Sequence, residues 1–446
     1  MTANQRPRST PNDRELRLWE VGRALTLVFA AAVLFAGGIF YGLVKLLDFK
    51  EIDSTSKLDA ETLFDLVKLS FGVVAGAGAL VALVVAYRRQ RVDEAGAHRE
   101  ATRLHTERFS QAVDKLGSDS PAVRLGGVHA LAGLADDAPT QDLRQTCVDV
   151  LCAYLRLPFP RHPGAPPAVT SSEEVRESHQ DKKDRYLALR QVRHTILRLI
   201  GDHYRVPEGD HRSWQGCNLD LIGVSIDGSM DFRGAVFSRG TVNFADAVFS
   251  DGLVDFSGAV FSSGRTVFQR AVFSGALVNF DKAVFSGGTV NFSRAVFSRN
   301  RVLFRDAVFS GCTMDFSGAV FSGGRVVFSD TTFSRGTANF MRTEFSGGWV
   351  DFGEAEFSGG TVNFRQAEFS GGTVNFSEAT FSSGTADFWM TEFSGGRVVF
   401  IEATFSGSTV DFSDATGSAP ESLLDAIGTP VPAEVVLPPG WIPPMS

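Results

Sequence analysis

The sequence predicts a mainly β protein whose larger part is a solenoid of stacked coils, preceded by a two-helix transmembrane hairpin and a small α-helical region. Three observations carry that prediction. Phenylalanine recurs on a twelve-residue clock through residues 232–412 without one insertion. Two uncharged runs, 24–44 and 69–87, lie close together near the N-terminus. Between those runs and the clock, apolar residues recur at helical spacing.

The clock has two hands. One series of Phe stands at 232, 244, 256 and onward to 412; the other stands at 237, 249, 261 and onward to 405. They hold 16 and 15 positions, so 31 of the 39 Phe obey one period. Steps alternate between five and seven, which draws no coherent stripe along a helix. Two residues before the second series stands Ala, replaced by Thr331, Thr343 and Thr391; two before the first stands Val in most copies. In an extended chain, residues i−2 and i share a face. Small-x-large therefore fills a narrow interior, with Gly and Ser turning the corners. A coil of twelve would make two Phe rings collide. Twenty-four gives four inward faces, so 232–412 should make about 7.5 coils at ~4.8 Å each. Identical rings then stack in columns, each contributing about 2–3 kcal/mol by burial.

The N-terminal elements follow from hydropathy and charge. The runs 24–44 and 69–87 have 21 and 19 residues, enough to cross a hydrocarbon core of ~30 Å. Arg6, Arg8, Arg14, Arg17 and Arg23 precede the first, and Arg88, Arg89 and Arg91 follow the second. The loop 45–68 has four lysines against six acids. The positive-inside rule puts the tail 1–23 and everything after residue 87 in the cytoplasm, and the loop outside. The expected location is the inner (plasma) membrane, as a multi-pass protein in contact with the lipid bilayer. Gly72 and Gly76 allow close helix approach; packing of the two spans ranks first, a homo-oligomer second.

Residues 92–157 read as α-helical. Val123, Leu125, Val128, Leu131 and Leu134 lie at helical spacing, with Asp119 or Ser120 as cap and Pro121 just inside. The phrase VRLGGVHALAGLAD resembles one HEAT-type unit, which needs a neighbour to cover its face. Residues 158–183, rich in Pro, Ser and charge, read as a flexible linker. Residues 184–204 read as a helix leading to the rod. The tail 416–446, with the short helix SLLDAI, is expected to cover the last coil, whose open edge would otherwise invite pairing.

Ala-x-Phe at five-residue offsets, and the phrase CNLDLIGVSI with Leu221 and Ile226, resemble the pentapeptide-repeat proteins over about 217–415. The resemblance implies a right-handed quadrilateral β-helix. Every second step here is seven rather than five, so two of the four sides should carry longer corners. The spans followed by AVDKLGSDSPAVRLGGVHALAGLADD also look like a membrane-anchored actinobacterial form of that family.

The formal charge of −8 leaves no global basic footprint for nucleic acid. Cys147, Cys152, Cys217 and Cys312 match neither a zinc spacing nor a disulfide framework. There is no P-loop and no dinucleotide fingerprint. All eight His precede the repeats, and His98 and His105 read as part of a solvated helix face. No catalytic residue, metal ligand or cofactor is predicted, so the expected role is a non-enzymatic scaffold with an unknown protein partner. Asn or Asp usually precedes the first-series Phe. Val267, Leu303, Val327 and Val399 break that rule, each two residues after an Arg. Linked drift of duplicated repeats covers most of this; the candidate interaction surface it leaves is Arg301, Arg325, Val327, Trp349 and Arg397. The rod is also polarised: residues 217–326 hold nine acids and ten basic residues, and 327–414 hold twelve and four. Some pentapeptide-repeat proteins resemble B-DNA in charge and bind DNA gyrase, which makes a DNA-mimic modulator of gyrase the alternative reading.

Overall fold

The computed structural model describes residues 60–442 except 169 and 300, with scattered positions between 29 and 41. The chain divides into two compact units, Met1–Glu100 and Ala101–Ser446. The predicted tail 1–23 and most of the span 24–44 lie outside the described residues. Helix α1 (Ala60–Leu116) begins inside the stretch read as the outer loop 45–68 and runs unbroken through the second apolar run into the polar stretch beyond it. Leu69, Leu80, Leu83, Val84, Val85 and Tyr87 are exposed on it. Among the described residues no helix is long and apolar enough to cross a membrane.

In the second unit, the Phe clock closes into a parallel β-solenoid. Strands pair in parallel with partners 24 residues apart, Phe273 beside Phe297 and Phe357 beside Phe381. Two sheets of 14 strands enclose the rings. All 31 clock Phe are buried except Phe405, which is partly so. Along each column the rings stack nearly parallel, with centroids from 4.5 Å apart (Phe285–Phe309) to 5.2 Å (Phe244–Phe268). Across the rod the two first-series columns meet edge to face, as in Phe328–Phe340 at 6.2 Å and 90°, the geometry that ring quadrupoles favour. The longest path crosses ten strands, from Leu219–Asp220 to Val435–Val436. The rod thus has about nine coils rather than 7.5, because the phrase at 217–227 forms the first rung and the tail adds the last.

The two step lengths make two kinds of corner. The five-step is a tight turn: the Ala355 N–H donates to Phe352 O at 3.1 Å, and Glu354 between them has φ +58. Where Asn or Asp precedes the first-series Phe, its side chain locks this turn. Asp351 Oδ1 accepts from the Gly353 N–H at 3.1 Å, and Asn375 Oδ1 from Ser377 at 3.1 Å, an Asx arrangement. These Asn and Asp are therefore turn locks. The seven-step is a bend at Ser-Gly-Gly. At Gly360 (φ +77) a Cβ would lie 2.2 Å from Gly336 O of the neighbouring coil, so only glycine fits. In the middle coils the strand continues through the bend, as in Glu356–Asn363. The inward Thr331, Thr343 and Thr391 that replace Ala are fully buried and satisfied: each hydroxyl donates to the carbonyl of Phe304, Phe316 or Phe364 at 2.8–3.1 Å.

Three helices close the N-terminal end: α2 (Pro121–Asp136), α3 (Gln141–Arg156) and α4 (Glu173–Arg205). Val128, Leu131 and Leu134 are buried with Val148, Leu151, Ile196 and Ile200, while Val123 is exposed. The HEAT-like pair thus finds its neighbour in α4 and the first coil. Tyr204 packs on Phe237 at 5.0 Å and donates to Cys217 O at 2.8 Å. Helical side chains serve as an extra rung for the open edge. Gln145 exchanges two hydrogen bonds with the Asn218 backbone, at 2.9 and 2.8 Å. Arg190, Arg193 and Arg205 donate to the carbonyls of Asp227, Ser225 and Asp231. Helix α4 starts inside the stretch read as the linker 158–183. The start of that stretch is pinned, because Phe159 and His162 pack on Tyr186 at 5.3 and 5.0 Å. At the far end, α5 (Leu423–Ile427) and Val435–Val436 cover the last coil, and the Trp441 ring sits 5.6 Å from Phe393 and 5.7 Å from Phe412. All four cysteines are free and buried.

Candidate interaction surface

Four of the five predicted surface residues share one column of the second sheet. Arg301, Arg325, Trp349, Thr373 and Arg397 stand in register on successive coils. The Arg325 guanidinium lies 5.0 Å from the Trp349 ring centre and 3.6 Å from the Asp351 carboxylate. Trp349 is 45 % exposed. Arg397 grips Glu421 with two hydrogen bonds, at 2.7 and 3.0 Å. This pairing raises the Arg397 pKa and lowers that of Glu421. Arg301 joins no ion pair among the described residues. Val327 does not belong with them: it is buried and pairs in register with Leu303. An apolar residue there cannot lock the turn as Asp or Asn does. Residues two apart share a face, so Arg301 and Arg325 bring their aliphatic stems to the face carrying Leu303 and Val327, which gives the Arg-x-apolar linkage a packing reason.

The polarity of the rod resolves into columns. In its first half, charges on successive coils neutralise one another: Asp246 binds Arg270 through two 2.6 Å hydrogen bonds, and Asp281 binds Arg305 at 2.8 Å. Further along, the left-handed position of one tight turn is occupied in succession by Asp306, Asp330, Glu354, Glu378 and Glu402. All five are exposed, and none has an ion-pair partner among the described residues. Backbone bonds tie Asp306, Asp330, Glu354 and Glu378 to the next coil, as from the Glu354 N–H to Ser377 O.

Among the described residues no group of three or more His, Cys, Asp or Glu is arranged to hold a metal ion. His105 is buried rather than solvated, its Nε2 3.9 Å from Cys147 Sγ. Burial lowers the His105 pKa against the opposing pull of Asp137, and pushes the Cys147 thiol up to about 12. That thiol is held protonated and packs as an apolar group.

A cleft of about 600 Å³ opens where residues 155–162, α4 and the first two coils meet. Four arginines line it, Arg156, Arg161, Arg190 and Arg193, against two acids, Asp227 and Asp251. Sequence reasoning misses it because its roof falls within the stretch read as a flexible linker. The signal that could have found it is Arg190 and Arg193 three apart on an amphipathic helix.

Comparisons with protein-family models, with curated proteins and with solved structures each find no match. Geometry alone carries the functional reading.

Proposed function

We propose that this protein is a pentapeptide-repeat-type scaffold, held at the cytoplasmic face of the plasma membrane by an N-terminal helical hairpin, whose rod presents a protein-binding side. The 24-residue coil, its two bent sheets and its tight Phe-x-x-Ala turns support the quadrilateral, right-handed family fold. The exposed apolar side chains of α1 and the arginines flanking the apolar runs support the anchor. The observation that carries the scaffold reading is the Arg301–Arg325–Trp349 column, in which an exposed indole sits beside the Arg325 guanidinium on a parallel sheet. Trp and Arg are the residues most often found at the energetic centres of protein interfaces.

Reporter fusions test the anchor. A C-terminal fusion active only in the cytoplasm should give signal, and one active only outside should give none. The reverse pattern would remove the inner-face scaffold. For the binding side, proximity labelling with the intact protein should recover a partner that is lost with Trp349→Ala. Identical labelling by the variant would reject that column.

The acidic turn column favours the second reading, a DNA-mimic binder of gyrase. One carboxylate per coil along this column is one charge per ~4.8 Å, sparser than the one per ~3.4 Å along a single strand of duplex DNA. That deficit ranks the reading second. Inhibition of gyrase supercoiling by the purified protein, abolished by Glu354→Gln with Glu378→Gln, would promote it.

A further inference from the structure

The cleft beneath residues 155–162 has an electrostatic imbalance that the fold does not correct. Arg193 is 4 % exposed, yet its direct partners are neutral. It donates to Leu155 O at 2.5 Å and Ser225 O at 2.8 Å, and lies 4.8 Å from the Phe159 ring centre. Carbonyls satisfy its donors without cancelling its charge. Arg190 donates through Nη2 to Asp227 O, but its Nε is buried with no hydrogen-bond partner. The nearest carboxylate oxygen, Asp227 Oδ2, stands 3.8 Å away and already accepts from the Tyr186 hydroxyl at 2.6 Å. Arg156 is engaged by Asp220 outside the cleft at 2.5 Å. Arg161, exposed on the roof, joins no ion pair among the described residues. Arg190 thus keeps only the loose pair with Asp227, and Arg193 is a buried cation without a direct counter-charge, which is costly; a planar guanidinium fork suits phosphate and carboxylate oxygens. Beside polar His162, Ser225 and Ser250, the lining has an apolar part made of Leu155, Pro158, Phe159 and Leu187.

From this arrangement we propose that the cleft binds an amphipathic small anion, a phosphate or carboxylate carried on an apolar or aromatic body. The anionic head sits among Arg161, Arg190 and Arg193, and the body lies against Phe159 and Leu187. Such a ligand would tie the roof segment to the first coil and so couple the helical cap to the rod. The site is separate from the Arg–Trp column and from the acidic column.

Isothermal titration of the full chain in detergent micelles tests this with two probes, phenyl phosphate and inorganic phosphate. Phenyl phosphate should bind saturably at one site, about tenfold more tightly than inorganic phosphate because of its ring. Arg161→Ala, on the exposed roof where folding does not depend on it, should weaken phenyl phosphate by about tenfold, the loss expected for one charge-assisted contact. Arg301→Ala on the rod should leave it unchanged. Absence of saturable binding at millimolar probe, equal binding of the two probes, or full retention of binding by Arg161→Ala would each overturn the proposal.

Discussion

At the residue scale, the two kinds of corner use the left-handed backbone differently. In the tight turn the third residue is left-handed whether it is Gly318 (φ +64) or Glu354 (φ +58), and a Cβ at Gly318 would meet nothing closer than Arg294 Cγ at 3.6 Å, an ordinary van der Waals contact. An L residue there bears a conformational cost of roughly 1–2 kcal/mol, partly offset by the extra unfolded-state freedom of glycine. Glu354→Gly should therefore stabilise the rod, by somewhat under about 1 kcal/mol, and relieve repulsion from Asp330 and Glu378. Gly318→Ala should cost about as much in the other direction. Gly360→Ala should cost far more, because its Cβ would meet Gly336 O at 2.2 Å. Guanidinium unfolding midpoints rank the three; a Gly360→Ala midpoint equal to that of Gly318→Ala would refute the account of the bend. The turn position was not legible in the sequence. Lys282, Arg294, Glu354 and Met390 all occupy it, so it resembles free surface variation. The bend was legible where Ser-Gly-Gly recurs, as at Gly360, whose neighbouring coil leaves no room for a side chain.

At the element scale, the helical cap is joined to the rod through a polar cluster. His203 of α4 faces an acceptor at each ring nitrogen, Leu199 O at 2.6 Å and Asp136 of α2 at 3.2 Å. Trp214 stacks on it at 4.1 Å and donates to the same carboxylate at 2.9 Å. Burial alone would lower the His203 pKa, but Asp136, the Leu199 carbonyl and Asp202 together raise it above the ordinary value. The folded state thus favours imidazolium. Its contribution is fully present below the unfolded value of 6.5 and is lost as pH rises through the raised folded value. His105 and His194 are lowered, chiefly by burial, and act in the opposite sense. The clean readout is therefore a difference: the stability gap between the parent and His203→Gln should shrink as pH rises from about 5.5 to 8.5. A constant gap would mean that only stacking on Trp214 had been lost. Periodicity made the individual helices legible. Their docking was not, because it depends on pairs far apart in sequence, such as Asp136 with Trp214 and Phe159 with Tyr186. For the same reason the pinned roof of the cleft looked like a linker.

At the scale of the whole molecule, a parallel solenoid has two open edges, and this one covers each with a different device. The N-terminal edge is sealed by helices whose Gln145, Arg190, Arg193 and Arg205 substitute for a rung. The C-terminal edge is sealed by the tail, with Val435–Val436 pairing against the strand Thr409–Asp411 and Trp441 lying over Phe393 and Phe412. The sequence indicated the second seal through SLLDAI and the Pro-rich end, but not the rung that extends the sheet. Removing residues 429–446 should expose that strand and two Phe rings. An unpaired edge invites another strand, yet the N-terminal end of a second copy remains blocked, so a head-to-tail filament cannot grow. The only edge left to pair with is the same edge of a second molecule, which gives a closed two-fold dimer rather than a fibre. Light scattering on the truncated chain should therefore show a concentration-dependent doubling of mass that then stops. Trp441→Ala, which keeps the rung and loses the ring, should dimerise more weakly. A truncated protein that stays at the parent's mass would show that the tail does not guard the edge, and one that grows into filaments would show that the helical cap does not seal the other end.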